Sequence, residues 1–491
     1  MVKTRAITAM PSLALYTLLG LSARTLPAQV SPEVQRHIDK IAGCLPGPVV
    51  VKSDPDVCHS LKERMAEMHV PGVSIAVVHN GVIEWAQGFG VAQLEGKPVT
   101  ADTLFQAGSI SKPVAAMAAL HLVQQGKLSL DVDINQSLTS WKVPASAAAP
   151  GATVTLRELL THTAGFTVHG FPGYAADETV PTLLQVLNGE KPANTPPIRL
   201  ESPPASKWNY SGGGYTIMQQ LVLDVSRQPF PKLLHDTVLA PIGMAHSTYQ
   251  QPLPAELRGS AASPYNEDGT PVKGGAHTYP EMAAAGLWTT PSDLAHYIIE
   301  NQHSLRGEDN HVLSRDMTKE MMTAGQGNWG LGLQIGGSAS KPYFSHSGVN
   351  AGFESLFVGY EQDGEGAVVM TNAQGGTRLA YEVMSSIAAE YQWPDFKPAV
   401  RAAVKVDSGV LAHYVGTYEL APTFSIVVTL DKDQLMAQAT NQPNVPIFSE
   451  SEKLFFLKIV DAQIEFVKDD KGNVSSLVLH QNGHDTKGLK K

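Results

Sequence analysis

The chain is 491 residues long, enough for two or three domains, and carries a formal net charge of −10, which argues against a nucleic-acid partner because phosphate binding needs a basic face. Hydrophobic residues make up 43% and charged residues 17%, which supplies a full core and argues against a disordered or coiled-coil protein.

At the N-terminus, Lys3 and Arg5 precede a mostly apolar stretch from Pro11 to Ala23, and Leu26-Pro27-Ala28 offers a cleavage site. Residues 1–28 therefore read as a secretory signal peptide, with an uncleaved anchor as the alternative. No membrane-spanning candidate follows Ala28, so an exported, periplasmic or secreted protein without stable membrane insertion is expected. The two cysteines, Cys44 and Cys58, flank a Pro/Gly/Asp-rich loop. In an exported chain they suggest one disulfide, the alternative being two free thiols, and their spacing fits no metal site.

Val73–Val78 and Val82–Ala86 around Asn80-Gly81 predict a β-hairpin. Asp131–Asn135 begins like a calcium loop but lacks the glycine and the closing glutamate that such a loop needs. Thr155–Leu160 predicts a short helix, followed by a long loop-rich region to about Pro204. Tyr215–Val225 and a helix opened by Pro291-Ser292-Asp293 follow. Gly325–Gly330 matches a dinucleotide fingerprint formally, but it follows no strand and opens no helix, so it reads as a turn before a strand at Leu331–Ile335. Leu356–Tyr360 and Ala367–Met370 predict further strands. Early strands, a helical middle and late strands predict one α+β sheet assembled from both ends of the domain. Trp393–Pro398 reads as a linker. Beyond it the pattern is all-β, with strands predicted at 414–420, 424–430, 435–439, 454–460, 464–467 and 476–480, as in a small barrel or sandwich.

The chemistry centres on Ser109-Ile110-Ser111-Lys112, which opens the apolar, alanine-rich run Pro113–Leu120. Helical spacing puts the Ser109 hydroxyl and the Lys112 amine on one face, a way to activate a serine without a histidine base. Burial and the helix N-terminus both favour the neutral, basic amine. A second Ser-x-x-Lys, Ser338–Lys341, lies in a Gly/Ser-rich loop with no apolar helix behind it and reads as a decoy.

Two further motifs follow: Trp208-Asn209-Tyr210-Ser211-Gly212-Gly213-Gly214 and Phe344-Ser345-His346-Ser347-Gly348-Val349-Asn350. With Leu159-Leu160-Thr161-His162-Thr163-Ala164-Gly165 they resemble, in order, the class C β-lactamase-like serine hydrolases, a family that includes penicillin-binding DD-peptidases, D-aminopeptidases and family VIII esterases. The resemblance covers about residues 60–390, and the tail from about 405 resembles the lipocalin-like domain appended to some members. It implies a β-lactamase/transpeptidase-like antiparallel sheet flanked by helices over residues 29–395, then a small all-β barrel over 405–491.

The resemblance makes Ser109 the nucleophile, with Lys112 and Tyr210 sharing acid–base work. Which of the two holds the proton is left open, because a phenolate at Tyr210 needs a charged Lys112 beside it. It places the oxyanion hole at the backbone N–H groups of Ser109 and Val349, and lines the substrate site with His346, Gly348 and Gly212. His162 reads as a loop-fixing residue, and His346 as a group that would polarise the Tyr210 region or contact a substrate carboxylate, titrating near neutrality if unperturbed. Where β-lactamases carry an asparagine amide and a lysine, this chain has Gly212 and His346, which favours an esterase or peptidase. No Gly-x-Ser-x-Gly elbow and no His-Glu-x-x-His motif occurs, so an α/β-hydrolase, a metal site and a cofactor are not expected. The expected function is acyl-enzyme hydrolysis of ester or amide bonds in a small-molecule or peptide substrate. The alternatives are a β-lactamase or DD-carboxypeptidase, or a non-catalytic penicillin or peptidoglycan sensor.

Overall fold

A computed structural model describes residues 1–2, 31–52, 58–94, 96–481 and 484–491. Most of the expected signal peptide, residues 3–28, lies outside the described residues.

The central sheet has six antiparallel strands: β1 (Gly72–His79), β2 (Val82–Gly90), β3 (Gln334–Ser338), β4 (Lys341–Asn350), β5 (Phe353–Tyr360) and β6 (Gly366–Thr371), in the order β2-β1-β6-β5-β4-β3. The ends of the domain thus meet where β1 pairs with β6. The β1–β2 turn is Asn80-Gly81, both at positive φ, the backbone a two-residue hairpin of this hand requires. Alternation along the strands sorts side chains to two faces. Val73, Ile75 and Val77 join Leu356, Val358, Ala367 and Val369 in one core, under helices α1 (Pro32–Gly43) and α5 (Gly376–Glu390). Ala76, Val78, Phe353, Phe357, Val368 and Met370 face the other core, which also holds α2 (Ser111–Gln124), α3 (Gly212–Ser226) and α4 (Pro291–Arg306). Helix α2 is buried on nearly every side, from Ser111 through Leu120, which explains its almost unbroken apolar sequence.

The two cysteines are joined as Cys44–Cys58, with Cα atoms 4.7 Å apart. The disulfide closes a loop containing the short strand Val49–Val51. That strand pairs in parallel with Ala399–Arg401, on the path to the C-terminal region.

The C-terminal region is a closed eight-stranded antiparallel barrel: β7 (Gly416–Ala421), β8 (Phe424–Asp431), β9 (Gln434–Ala439), β10 (Asn444–Ser449), β11 (Leu454–Leu457), β12 (Ala462–Lys468), β13 (Val474–Gln481) and β14 (His484–Lys490). Its interior is filled by Tyr414, Tyr418, Phe455, Phe466 and aliphatic side chains, so it is a packed core.

Several elements depart from the sequence reading. Helix α3 starts at Gly212, ahead of the expected start at Tyr215, because Ser211 caps it by accepting the Gly214 N–H at 3.0 Å. A Cβ on Gly213 would lie 2.6 Å from the Thr167 carbonyl, so that glycine serves close approach to the neighbouring loop. The strand expected at Leu331–Ile335 begins at Gln334. Trp393, at the start of the expected linker, is buried in the sheet-side core and donates its N–H to Glu365 at 3.0 Å. The connection there is therefore packed against the domain.

Candidate active site

Ser109 sits in the 3-10 turn Gly108–Ile110, directly before α2. The turn has little freedom. Gly108 has φ +53°, and a Cβ there would lie 2.5 Å from the backbone nitrogen of Val349. Gly348 is tighter still, since its Cβ would lie 1.9 Å from the Ala107 carbonyl oxygen. Two glycines thus let strand β4 run against the nucleophile turn. Ser111, the third residue of the first motif, locks the turn from below. Its hydroxyl donates to the Gly108 carbonyl at 2.6 Å and accepts the Leu287 N–H at 2.9 Å, and its carbonyl accepts the Tyr249 hydroxyl at 2.6 Å.

Lys112 is buried, with Nζ 2.9 Å from Ser109 Oγ and donating to the Ala284 carbonyl at 2.9 Å. Burial pushes its titration point down to about 7, so a large fraction is the neutral amine at neutral pH. Tyr210 closes the triangle. Its hydroxyl is hydrogen bonded to Ser109, and its ring lies 4.9 Å from Lys112 Nζ. Burial raises the Tyr210 phenol well above its ordinary value, outweighing the smaller effect of the Ser109 hydrogen bond. These opposite shifts leave the phenol protonated near neutral pH and make the amine the group available there to take a proton.

His346 is perturbed, so the condition for its titrating near neutrality is not met. Burial, with a smaller contribution from the charge of Lys112, pushes its imidazole down to about 3. It does not titrate near neutrality, and a pH-dependent grip on a carboxylate between pH 6 and 8 is not supplied by it. Its Nδ1–H donates to the Ser347 carbonyl, leaving Nε2 as a buried acceptor.

His162 has a larger part than its position in a loop suggests. Its φ is +58°, and its ring lies 4.2 Å from the Tyr210 ring. Its carbonyl accepts the Asn209 N–H at 2.8 Å, and its Nδ1 accepts the Ser211 N–H at 3.1 Å. Both chain neighbours of Tyr210 are therefore tied to one residue. His162, Trp208, Trp329 and His346 form an aromatic wall around Tyr210, at ring separations between 4.2 and 6.5 Å. Gly212 opens α3 two residues beyond Tyr210, and Val349 presents an exposed side chain at the rim. The structure thus brings Lys112 and Tyr210 to Ser109, His346 beside Tyr210, and Gly348 and Val349 against the turn that carries Ser109, with Gly212 two residues beyond Tyr210. Cys44 and Cys58 lie apart from these residues, on the far helical layer.

An antiparallel sheet between helical layers, with a serine at the head of a buried helix and a lysine and tyrosine on its hydroxyl, defines a β-lactamase-type serine hydrolase fold. The chain belongs to the beta-lactamase family, whose model matches residues 59–387; a domain of unknown function matches residues 400–490. It is 22% identical to a penicillin-binding protein of Bacillus subtilis (strain 168) over 465 residues, covering 88% of this chain and 97% of the relative. It is 29% identical to a beta-lactamase of Pseudomonas fluorescens over 252 residues, which covers 51% of this chain and 64% of that protein. The fold is shared with the octameric penicillin-binding protein homologue from Pyrococcus abyssi, at a TM-score of 0.59 and 22% identity over 87% of this chain and 98% of that one. It is also shared with a D-alanine carboxypeptidase from Burkholderia cenocepacia, at a TM-score of 0.50 and 22% identity over 66% of this chain and 95% of that one. Among the described residues no helix is long and apolar enough to cross a membrane.

Proposed function

We propose that this protein is an acyl-transfer hydrolase of uncharged ester, or small amide, substrates, with Ser109 as nucleophile. The observation that carries the reading is the 2.9 Å approach of a buried Lys112 amine to Ser109 Oγ, with the amine lowered to about 7. Ser109 Oγ attacks the substrate carbonyl carbon and its proton passes to Lys112 Nζ. Backbone N–H groups of Ser109 and Val349 hold the oxyanion, each worth about 3 kcal/mol. As the carbonyl re-forms, the bond to the leaving oxygen or nitrogen breaks. That atom takes the phenol proton of Tyr210, which Lys112 replaces. Water then attacks the acyl-enzyme and gives a proton to the amine; as the carbonyl re-forms the bond to Ser109 Oγ breaks, and Lys112 passes that proton to Oγ, leaving the acid, the free serine and the neutral amine.

An ester is favoured over a penicillin-like ligand because the third motif offers a neutral, buried imidazole where a carboxylate would need a cation. Hydrolysis of D-amino-acid peptides is the second reading, supported by the similarity to a D-alanine carboxypeptidase. The test is a panel of p-nitrophenyl esters, D-alanyl peptides and a chromogenic cephalosporin. The account expects the highest kcat/KM on an ester, and a wild-type ratio favouring the cephalosporin would replace it with a β-lactamase.

A further inference from the structure

Position 212 has no side chain, yet the space beside it is occupied. A Cβ built on Gly212 would lie 2.8 Å from Phe171 Cε2 and 3.4 Å from Phe171 Cδ2. The Phe171 ring therefore rests on the first turn of α3, two residues beyond Tyr210. Phe171 is half-buried and packs against the main core.

The loop that carries it is fastened to two segments, the start of α3 next to Tyr210 and the 277–279 stretch. On the Tyr210 side, the Thr167 carbonyl accepts the Ser211 hydroxyl at 3.1 Å and the Val168 carbonyl accepts the Gly213 N–H at 2.8 Å. There too, the His169 ring N–H donates to the Tyr210 carbonyl. At the second anchorage, the Pro172 carbonyl accepts the Tyr279 hydroxyl at 3.4 Å and the His277 Nδ1–H at 2.9 Å. Tyr279 in turn accepts the N–H of Ala351, two residues beyond Val349. The His277 carbonyl accepts the amide of Gln106, three residues before the nucleophile. Phe171 is the side chain held between these two anchorages.

We propose that Phe171 fills the place a side chain at 212 would take and makes this wall of the substrate site an apolar seat for an uncharged alkyl or aryl acyl group. This deepens, and rests on, the reading of Ser109 as an acyl-transfer nucleophile. A ring on this wall gives area for burial and offers no amide hydrogen bond, so acyl chains gain with length while substrates that present an amide there are left with unpaired polar groups.

The experiment uses the full chain. Wild type, Phe171→Ala and Phe171→Leu are compared by the ratio of kcat/KM for p-nitrophenyl octanoate to that for p-nitrophenyl acetate. A parallel measurement takes the ratio of labelling rates for a long-chain and a methyl fluorophosphonate. The expected result is a fall of at least tenfold in both ratios for Phe171→Ala, partly restored by leucine. Gly212→Asn is expected to lower Tm in wild type and to lower it less in the Phe171→Ala background, because the clash is then relieved. Ratios that do not move, in proteins that still label at Ser109, overturn the assignment of Phe171 and leave the serine-hydrolase reading standing. Failure of every probe to label the wild type overturns that reading and this one with it.

Discussion

An amine buried to a titration point of about 7 changes state in the range where such a protein works, whereas a phenol raised above its ordinary value does not. As pH falls through about 7, Lys112 gains a proton and can no longer take one from Ser109. kcat/KM on a neutral ester is therefore expected to fall about tenfold per pH unit below 7 and to level off above it. A profile that declines as pH rises from 6 to 8 contradicts the assignment. Lys112→Ala and Tyr210→Phe are each expected to cost at least about 100-fold in acylation, far from multiplicatively when combined. His346, already neutral, is expected to leave the shape of this profile alone when changed to glutamine. His162 acts through Tyr210. His162→Ala is expected to lower kcat with little change in the midpoint near 7, since it loosens the loop without touching the amine. The residues Ser111, His162 and Phe171 escape a reading of the sequence as catalytic parts because they work through backbone carbonyls, N–H groups and one glycine's missing side chain. Ser109 and Lys112 are legible because their chemistry depends on residue type at a helical spacing, and Tyr210 because it stands in a motif that follows theirs in order.

At the scale of elements, strand β4 and the nucleophile turn are fitted to each other through Gly348 and Gly108. Gly348→Ala places a methyl 1.9 Å from the Ala107 carbonyl and is expected to cost about 4–5 kcal/mol, the exceptional end of single substitutions. Chemical denaturation checks this, and a loss below about 1 kcal/mol would show that the strand can shift. The short helix Met282–Ala285, whose Ala284 carbonyl holds Lys112, is preceded by Glu281. This carboxyl is fully buried, and burial pushes it up to about 8, outweighing a hydrogen bond from its own backbone N–H. Between pH 4.5 and about 8 the folded chain keeps a proton there that the unfolded chain gives up, so stability from this site falls as pH rises through that window. Glu281→Gln is expected to raise Tm more at pH 8 than at pH 4. An equal rise at both would mean that the carboxyl is not the cause. The hairpin, the sheet strands and most barrel strands are legible because they alternate or carry turn residues. β14 is not, because among its residues only Gly488 is buried and the strand reads as a charged tail. β10 is hidden by Pro446.

For the whole molecule, the barrel is fastened to the catalytic domain by chain that comes from both ends. The disulfide-closed loop supplies Val49–Val51, which pairs with Ala399–Arg401; Val49 and Val51 pack with Phe456 of the barrel, and Arg401 reaches Asp461 at 2.9 Å. A domain boundary in residues 402–407, which carry no regular structure, is our proposal. Limited proteolysis there should release the barrel as a stable fragment, and should do so faster in the Cys44→Ser/Cys58→Ser protein because the clamp strand is then less constrained. Equal rates would mean that the clamp does not depend on the disulfide. Equal degradation of both parts would count against the boundary.

The central claim is that Ser109, activated by Lys112, forms a covalent acyl-type adduct. Intact mass of the full chain after treatment with an uncharged fluorophosphonate, followed by peptide mapping, tests it most directly. The account predicts one adduct per chain, located at Ser109, absent from Ser109→Ala and unchanged in Ser338→Ala. An adduct that persists in the Ser109→Ala protein, or a wild-type chain that stays unlabelled, contradicts it.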